Sequence, residues 1–237
     1  MNRIAWLDPD TLAFPPAASA LRNPDGLLAA GGDLSPERLL LAYRSGIFPW
    51  FEEGQPILWW SPDPRAVLFP EKARLTRSLR RTLRRGTFEV RIDTAFDDVI
   101  DGCSAPRDYT DGTWITAEMK EAYSALHRRG HAHSIESWLD GELVGGLYGV
   151  AFGKVFFGES MFHTETDASK VAFAWLCRLM VEQGGRLVDC QVQNDHLLSL
   201  GSRSIPREEY LALLEKFGWF APDPVRWDLV PTCPGPW

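Results

Sequence analysis

The sequence predicts an α+β protein built from two unequal parts. Residues 1–70 are dense in Pro, Gly and Trp around a single helix pattern. Residues 131–160 alternate as an antiparallel meander does, and a long apolar helix pattern and one further strand follow them. At 237 residues the chain can bury a substantial core, and its 45% hydrophobic and 24% charged residues are those of an ordinary globular protein.

Taken in order, FPP at 14–16, NPDG at 23–26, GGD at 31–33, FPW at 48–50 and WWSPDPR at 59–65 read as turns and short strands. One helix is expected among them, with Ser35 as N-cap, Pro36 at its first position and Gly46 just past its end. A boundary near residue 70, with a position nearer 90 as the alternative, gives a small N-terminal domain over 1–70 and a larger one over 71–237. Leu75, Leu79 and Leu83 then recur at i, i+4 and i+8 with arginines on the other faces, which predicts an amphipathic helix near 75–85. Another helix is expected over 116–129, from a Thr116 cap to Gly130. AHSIESWL reads as a strand, Asp140-Gly141 as a tight hairpin turn and ELVGGLYGVA as a second strand. Phe152-Gly153-Lys154 turns into a third, VFFGES. Asp167 is expected to cap a long helix through Lys170, Phe173, Leu176 and Met180, and RLVDCQV over 186–192 to add the last strand.

Charge is distributed unevenly. The net charge is −7, yet residues 72–91 hold eight basic residues against Glu89 alone, so the rest of the chain is strongly acidic. A compact basic element on an acidic body suits contact with a polyanion at one place and with a cationic partner at another. A solvated helix face is the alternative. Cys103, Cys177, Cys190 and Cys233 include no C-x-x-C pair, so neither a zinc knuckle nor a disulfide framework is indicated. No apolar run approaches the ~20 residues that span a bilayer. Asp8, Pro9 and Asp10 interrupt any secretory h-region, so a cytoplasmic location is expected.

In strand 186–192, period two sets Leu187, Asp189 and Gln191 on one face and Val188, Cys190 and Val192 on the other. An acid and an amide among Leu, Val and Cys form either a catalytic pair or an internal hydrogen-bonded one. Glu159 ends the third meander strand, and Phe173, Leu176 and Met180 share one helix face, which reads as core or as an apolar pocket bottomed by a carboxylate. Trp50 and Trp114 sit in loop-like contexts, suited to stacking on a nucleobase or to plugging two domains together. His131 and His133 without a third ligand are weak grounds for a metal. No G-x-S-x-G elbow, Walker A motif or G-x-G-x-x-G loop occurs, so a bond-forming enzyme here needs a substrate that arrives already activated.

Over residues 12–217 the chain resembles the leucyl/phenylalanyl-tRNA–protein transferases. NPDGLLAAGGDLS, AYRSGIFPWF, ILWWSPDPRAVLFP, TWIT, GHAHSIESW, ELVGGLYGV, GESMF, DASK and LVDCQVQNDHLLSLGSRSIPR carry the likeness. The resemblance implies a small N-terminal domain followed by an acyl-CoA N-acetyltransferase-like core. The connection ESMFHTETDAS lacks the glycines of a CoA-binding loop. It further implies transfer of Leu or Phe, Met less well, from charged tRNA to proteins beginning with Arg or Lys, marking them for N-end rule degradation. Trp50 and Trp114 would hold the 3′-terminal adenosine, and Leu147, Glu159, Met161, Phe173, Leu176, Met180 and Val188 the amino acid. Asp189 and Gln191 would be catalytic, with Glu159 the next candidate. Arg84 and Arg85, and with them Arg77, Arg80 and Arg81 of the same basic helix, would meet the tRNA backbone.

The chemistry asks for little else. An aminoacyl ester needs a neutral amine, alignment and oxyanion stabilisation, with no metal or nucleotide cofactor. Gln191, oriented by Asp189, would align the amine, and Asp189 or linked water would disperse its proton. A non-catalytic tRNA-binding adaptor explains the basic helix and tryptophans but not the polar pair. A tRNA-dependent peptidoglycan aminoacyltransferase would need a membrane-facing surface that the sequence does not display.

Overall fold

The computed structural model describes residues 4–105, 114–219 and 225–228; Cys233 lies outside them. The first part forms a four-stranded sheet in the order β1-β2-β4-β3. Its strands are β1 (Ala5–Leu7), β2 (Leu27–Gly31), β3 (Phe48–Pro49) and β4 (Leu58–Trp60). Between β2 and β3 runs α1 (Pro36–Arg44), whose N-cap Ser35 accepts from the Arg38 amide as expected.

The larger sheet opens with a strand from before residue 70, β5 (Arg65–Leu68). After it come α2 (Arg77–Arg85), β6 (Glu89–Ile92), α3 (Phe96–Ser104) and α4 (Ala117–Arg128). The predicted meander is present as β7 (Ala132–Leu139), β8 (Glu142–Phe152) and β9 (Val155–His163), followed by α5 (Ala168–Glu182) and β10 (Leu187–Gln191). The described chain continues through α6 (Asp195–Leu200), β11 (Arg203–Ile205) and α7 (Arg207–Leu214). The strand order is β11-β5-β10-β9-β8-β7-β6, antiparallel except for the parallel pair β9–β10. This is the mixed α+β class the sequence predicts, with meander, long helix and strand in the expected order.

Each face of this sheet buries its own core. One face packs Leu39, Ala42 and Tyr43 of α1, Val99 and Ile100 of α3, Tyr123 and Leu126 of α4 and Tyr210 of α7 against Tyr148, Val150, Phe157 and Leu187. The same cluster includes Leu28, Ala29 and Trp59 of the small sheet, so the two parts share one apolar interior. The other face packs α5, through Ala172, Phe173, Leu176 and Met180, against Leu147, Phe156 and Val188. Close approach there requires glycine, since a Cβ on Gly145 would lie 2.6 Å from that of Ala168.

Helix α2 begins at Arg77 with Thr76 as its N-cap and ends on Gly86 at φ 62°, so Leu75 precedes it. Leu79 and Leu83 pack on Val171 and Ala174 of α5 with Leu75 alongside, while Arg77, Arg80, Arg81, Arg84 and Arg85 all face outward. One capping expectation is corrected. Asp167 precedes α5 in a left-handed conformation at φ 70° and its side chain makes no cap bond. It instead accepts from Thr82 Oγ1 at 3.2 Å and Lys170 Nζ at 3.4 Å, tying α2 to the start of α5.

Candidate active site

The site forms where β9 and β10 part. Their parallel pairing ends at Phe157 and Asp189, after which β10 stops at Gln191 while β9 runs on to His163. Each strand is irregular at this point. In β9, Tyr148 pairs with Ser160 and Gly149 with Gly158, leaving Glu159 as the extra, bulged residue. In β10, Cys190 is extra against β5, and Gln191 takes a left-handed φ of 56°.

Those irregularities correct the alternation read from the sequence. Leu187 lies in one core and Val188 and Cys190 in the other, as period two requires. Past Cys190 the pattern fails: Val192 lies beyond the strand and is 51% exposed. Asp189 and Gln191 nevertheless both engage partners from the first core, Tyr210 directly and Tyr43 and Tyr123 through Glu159, and the Gln191 amide is held by Glu159.

Asp189 is fully buried at the centre of a charge clamp. Its Oδ1 accepts from Arg65 Nε at 2.8 Å and from the Gln191 backbone N–H at 3.0 Å. Its Oδ2 accepts from Arg65 Nη2 at 2.6 Å and from the Tyr210 hydroxyl at 2.8 Å. Four donors occupy the carboxylate, leaving it no capacity to take a substrate proton. Arg65 lies between the rings of Phe48 and Tyr210, at 4.8 and 4.6 Å from their centroids, and also donates to the Gly46 carbonyl at 3.2 Å. Burial works against the Arg65 charge, but the Asp189 carboxylate outweighs it and holds the guanidinium above its ordinary range. Burial, reinforced by Asp189, pushes the Tyr210 phenol well up. Asp189 thus acts on Gln191 through the backbone, gripping the amide of a left-handed residue.

The Gln191 side chain turns to the other carboxyl. Its Nε2 donates to Glu159 Oε1 at 3.0 Å, which fixes which end of the amide is the donor and leaves its oxygen as acceptor. Glu159 is half-buried; its Oε1 also accepts from the Tyr43 hydroxyl at 2.7 Å and its Oε2 from the Tyr123 hydroxyl at 2.8 Å. The two hydroxyls are in direct, short contact with each other. Burial outweighs the downward pull of the two tyrosine hydroxyls and, with nearby Asp189, leaves the Glu159 carboxyl raised to about 7.

The expected pocket residues fall on the opposite sheet face. Leu147, Phe173, Leu176, Met180 and Val188 are all buried in the core under α5, and Met161 is half-buried at its margin. Glu159 belongs with Tyr43 and Tyr123 instead, two residues on from Phe157 of the first core, while beyond the bulge Met161, paired with Leu147, lies on the α5 side. The last β9–β10 backbone pair is Phe157 with Asp189, and beyond it the two strands are joined by the Gln191–Glu159 side-chain bond.

Trp50 follows β3, is 47% exposed and lies 5.7 Å from the Trp60 ring, whose Nε1 donates to the Trp50 carbonyl at 2.7 Å. Trp114 is half-buried against the first core just before α4, the helix that carries Tyr123. His133 binds Asp93 through Nδ1 at 2.7 Å and stacks on Trp227. No group of three or more potential metal ligands occurs among the described residues. No described helix is long and apolar enough to cross a membrane.

Sequence reasoning missed Arg65, Tyr210, Tyr43 and Tyr123. Arg65 carried one signal, a cation within the apolar run RAVLF. The tyrosines lie on helix patterns where burial is their ordinary fate, and nothing local distinguishes them.

Comparison with known proteins bears on the whole chain. Residues 67–215 match the family model described as leucyl/phenylalanyl-tRNA protein transferase, and residues 32–63 match a model of that family's N-terminal domain. Among similar proteins, the leucyl/phenylalanyl-tRNA–protein transferase of Stutzerimonas stutzeri (strain A1501) is 58% identical over 89% of this chain and 93% of its own. Those of Azoarcus sp. (strain BH72) and Methylococcus capsulatus (Bath) are 57% and 55% identical, over 94% and 96% of this chain and 95% and 98% of theirs.

Proposed function

This chain belongs to the leucyl/phenylalanyl-tRNA–protein transferase family and is an aminoacyltransferase, and we propose that it moves Leu or Phe, less well Met, onto the α-amine of proteins beginning with Arg or Lys. In this reading the product enters N-end rule degradation, and the enzyme works in the cytoplasm beside charged tRNA without a cofactor. We further propose the division near residue 70, with a small domain ahead of the acyltransferase-like core. Two separate family matches, 32–63 and 67–215, support that division, although the strand 65–68 joins the large sheet.

The observation that carries the functional reading is the hydrogen bond from Gln191 Nε2 to Glu159. With one N–H of its nitrogen engaged and the end of the amide thereby fixed, its oxygen remains as an acceptor that can hold the incoming amine against the ester carbonyl. Alignment of that kind supplies much of the acceleration when the acyl group is already activated. Glu159 lies beside the aligned amine. Asp189 is assigned the positioning of Gln191, since its own oxygens are occupied.

Trp50 and Trp114 are assigned to the 3′-terminal adenosine. Exposure of Trp50 supports stacking, and both tryptophans adjoin segments that supply Tyr43 and Tyr123. Leu147, Met161, Phe173, Leu176, Met180 and Val188 are assigned to the aminoacyl side chain, with the Glu159 carboxyl on the other side of the sheet assigned to the amine. The outward-facing Arg77, Arg80, Arg81, Arg84 and Arg85 are assigned to the tRNA backbone.

The test is transfer of labelled Leu or Phe from charged tRNA to a protein beginning with Arg, run beside a short aminoacyl-adenosine donor. Arg84→Ala with Arg85→Ala should weaken use of full tRNA, flatten the logarithmic salt slope by about 2 and spare the short donor. No transfer from either donor would reject the function. Equal losses on both would make the helix structural.

A further inference from the structure

The three-way contact among Tyr43, Tyr123 and Glu159 is more than packing requires. Tyr43 lies on α1 and Tyr123 on α4, and both are fully buried. Each hydroxyl reaches a different Glu159 oxygen, and the two hydroxyls also touch each other.

Counting protons shows what this ring can do. A phenol carries one donor proton, so an ionised Glu159 meets two donated protons and the hydroxyl–hydroxyl contact holds none. When Glu159 gains a proton, a third becomes available, and every contact of the triangle can hold one, each group donating to the next around the ring. Both protonation states are thereby provided for inside a buried site, whereas an unassisted carboxyl there would strongly favour the neutral form.

We propose that Tyr43 and Tyr123 are positioning residues for the transfer reaction, holding Glu159 so that it takes the proton shed by the acceptor's α-ammonium. This rests on the assignment of Glu159 to the reacting amine. One N–H proton passes to the Glu159 carboxylate and frees the nitrogen lone pair. The nitrogen then forms a C–N bond to the ester carbonyl carbon, and the C–O bond to the ribose oxygen breaks. A second N–H proton ends on that oxygen, and Glu159 returns its own to solvent.

The groups facing the carboxyl from other elements fit this role. Tyr148 on β8 and Gln191 on β10 are neutral, while Asp189 and Arg65 act in opposite directions. The only cation among them is already committed to Asp189, leaving Glu159 with uncharged partners at hydrogen-bonding distance.

The experiment measures single-turnover transfer from a short aminoacyl-adenosine to an Arg-starting peptide between pH 5.5 and 9, for wild type, Tyr43→Phe, Tyr123→Phe and Glu159→Gln. Titration of the amine is common to all four, so differences between them report on the enzyme. Loss of either hydroxyl removes a donor to the carboxylate. The rate inflection should then move up by about one pH unit, costing about tenfold below it and little at pH 9. The infrared carboxyl band, read as each protein minus its Glu159→Gln counterpart, should titrate upward in parallel. That readout requires only folded protein. An unmoved band and a pH-independent loss in both tyrosine variants would overturn the proposal while leaving Glu159 in the reaction. A wild-type profile in Glu159→Gln would overturn the parent assignment as well.

Discussion

Asp189 and Glu159 stand on adjacent strands of one sheet, and the charge of their partners separates them. Asp189 faces a guanidinium through two hydrogen bonds, with a phenol and a backbone amide filling its remaining sites. Glu159 is held by two phenols and a primary amide, none of them charged. Equal numbers of donors would satisfy either acid. A formal positive charge fixes one proton count, whereas neutral donors leave the count free to change. The guanidinium-bound acid is fully buried, and the acid held by neutral donors lies just past the point where β9 and β10 cease to pair.

The largest test of this contrast is to break the clamp. Arg65→Met leaves Asp189 buried without its cation and should cost about 3–5 kcal/mol in urea unfolding. Asp189→Asn strands Arg65 in the same way, so its activity loss must be corrected for unfolded protein. Pairing Arg65→Met with Asp189→Leu should recover most of the stability. A single-variant cost below about 1 kcal/mol, the range of an exposed pair, would dissolve the contrast.

Next in size is the pH dependence of stability. The Glu159 carboxyl is raised from 4.5 to about 7, so between those values the folded protein holds a proton that the unfolded chain has released. The resulting stability is complete on the acid side and is lost as pH rises through 7. Relative to Glu159→Gln, wild type should lose on the order of 2 kcal/mol between pH 4.5 and 8. A flat difference would show that Glu159 keeps one protonation state across this range.

The smallest effect concerns the residue that joins the two acids. Gln191→Gly relieves a left-handed φ of 56° and should raise stability by about 1 kcal/mol. It also removes the side-chain amide, so the transfer rate should fall at least about tenfold. Gln191→Ala should lose the same rate without the gain in stability. Full turnover in the glycine variant would leave only the backbone of Gln191 in the mechanism.

The division between what the sequence disclosed and what it concealed follows the same chemistry. The hairpin at Asp140-Gly141 was legible because both residues need positive φ, 51° and 85° here, and their types announce it. The docking face of α2 was legible from leucine spacing. Strands of three or four residues such as β5, β6 and β11 were not, because too few positions alternate to establish a period. The site was half visible: Asp189, Gln191 and Glu159 stood out as polar groups in apolar strands. Their partnerships did not, since Arg65 lies 124 residues from Asp189 and Tyr43 lies 116 from Glu159. One extra residue in each of β9 and β10 also interrupts the pairing, which no local pattern in the sequence announces.

Arg65 and Tyr43 have a consequence for how this protein can be inherited or recombined. Both belong to the first 70 residues, yet one neutralises an acid and the other caps a carboxyl in strands formed more than 80 residues later. A fragment beginning at residue 71 would carry Asp189 without its counter-ion and Glu159 with one hydroxyl fewer. A chimera made by exchanging that segment among relatives would inherit a working centre only if the donor brought both residues in register. The N-terminal segment therefore acts as an internal subunit of the candidate site, supplying side chains that the larger part lacks.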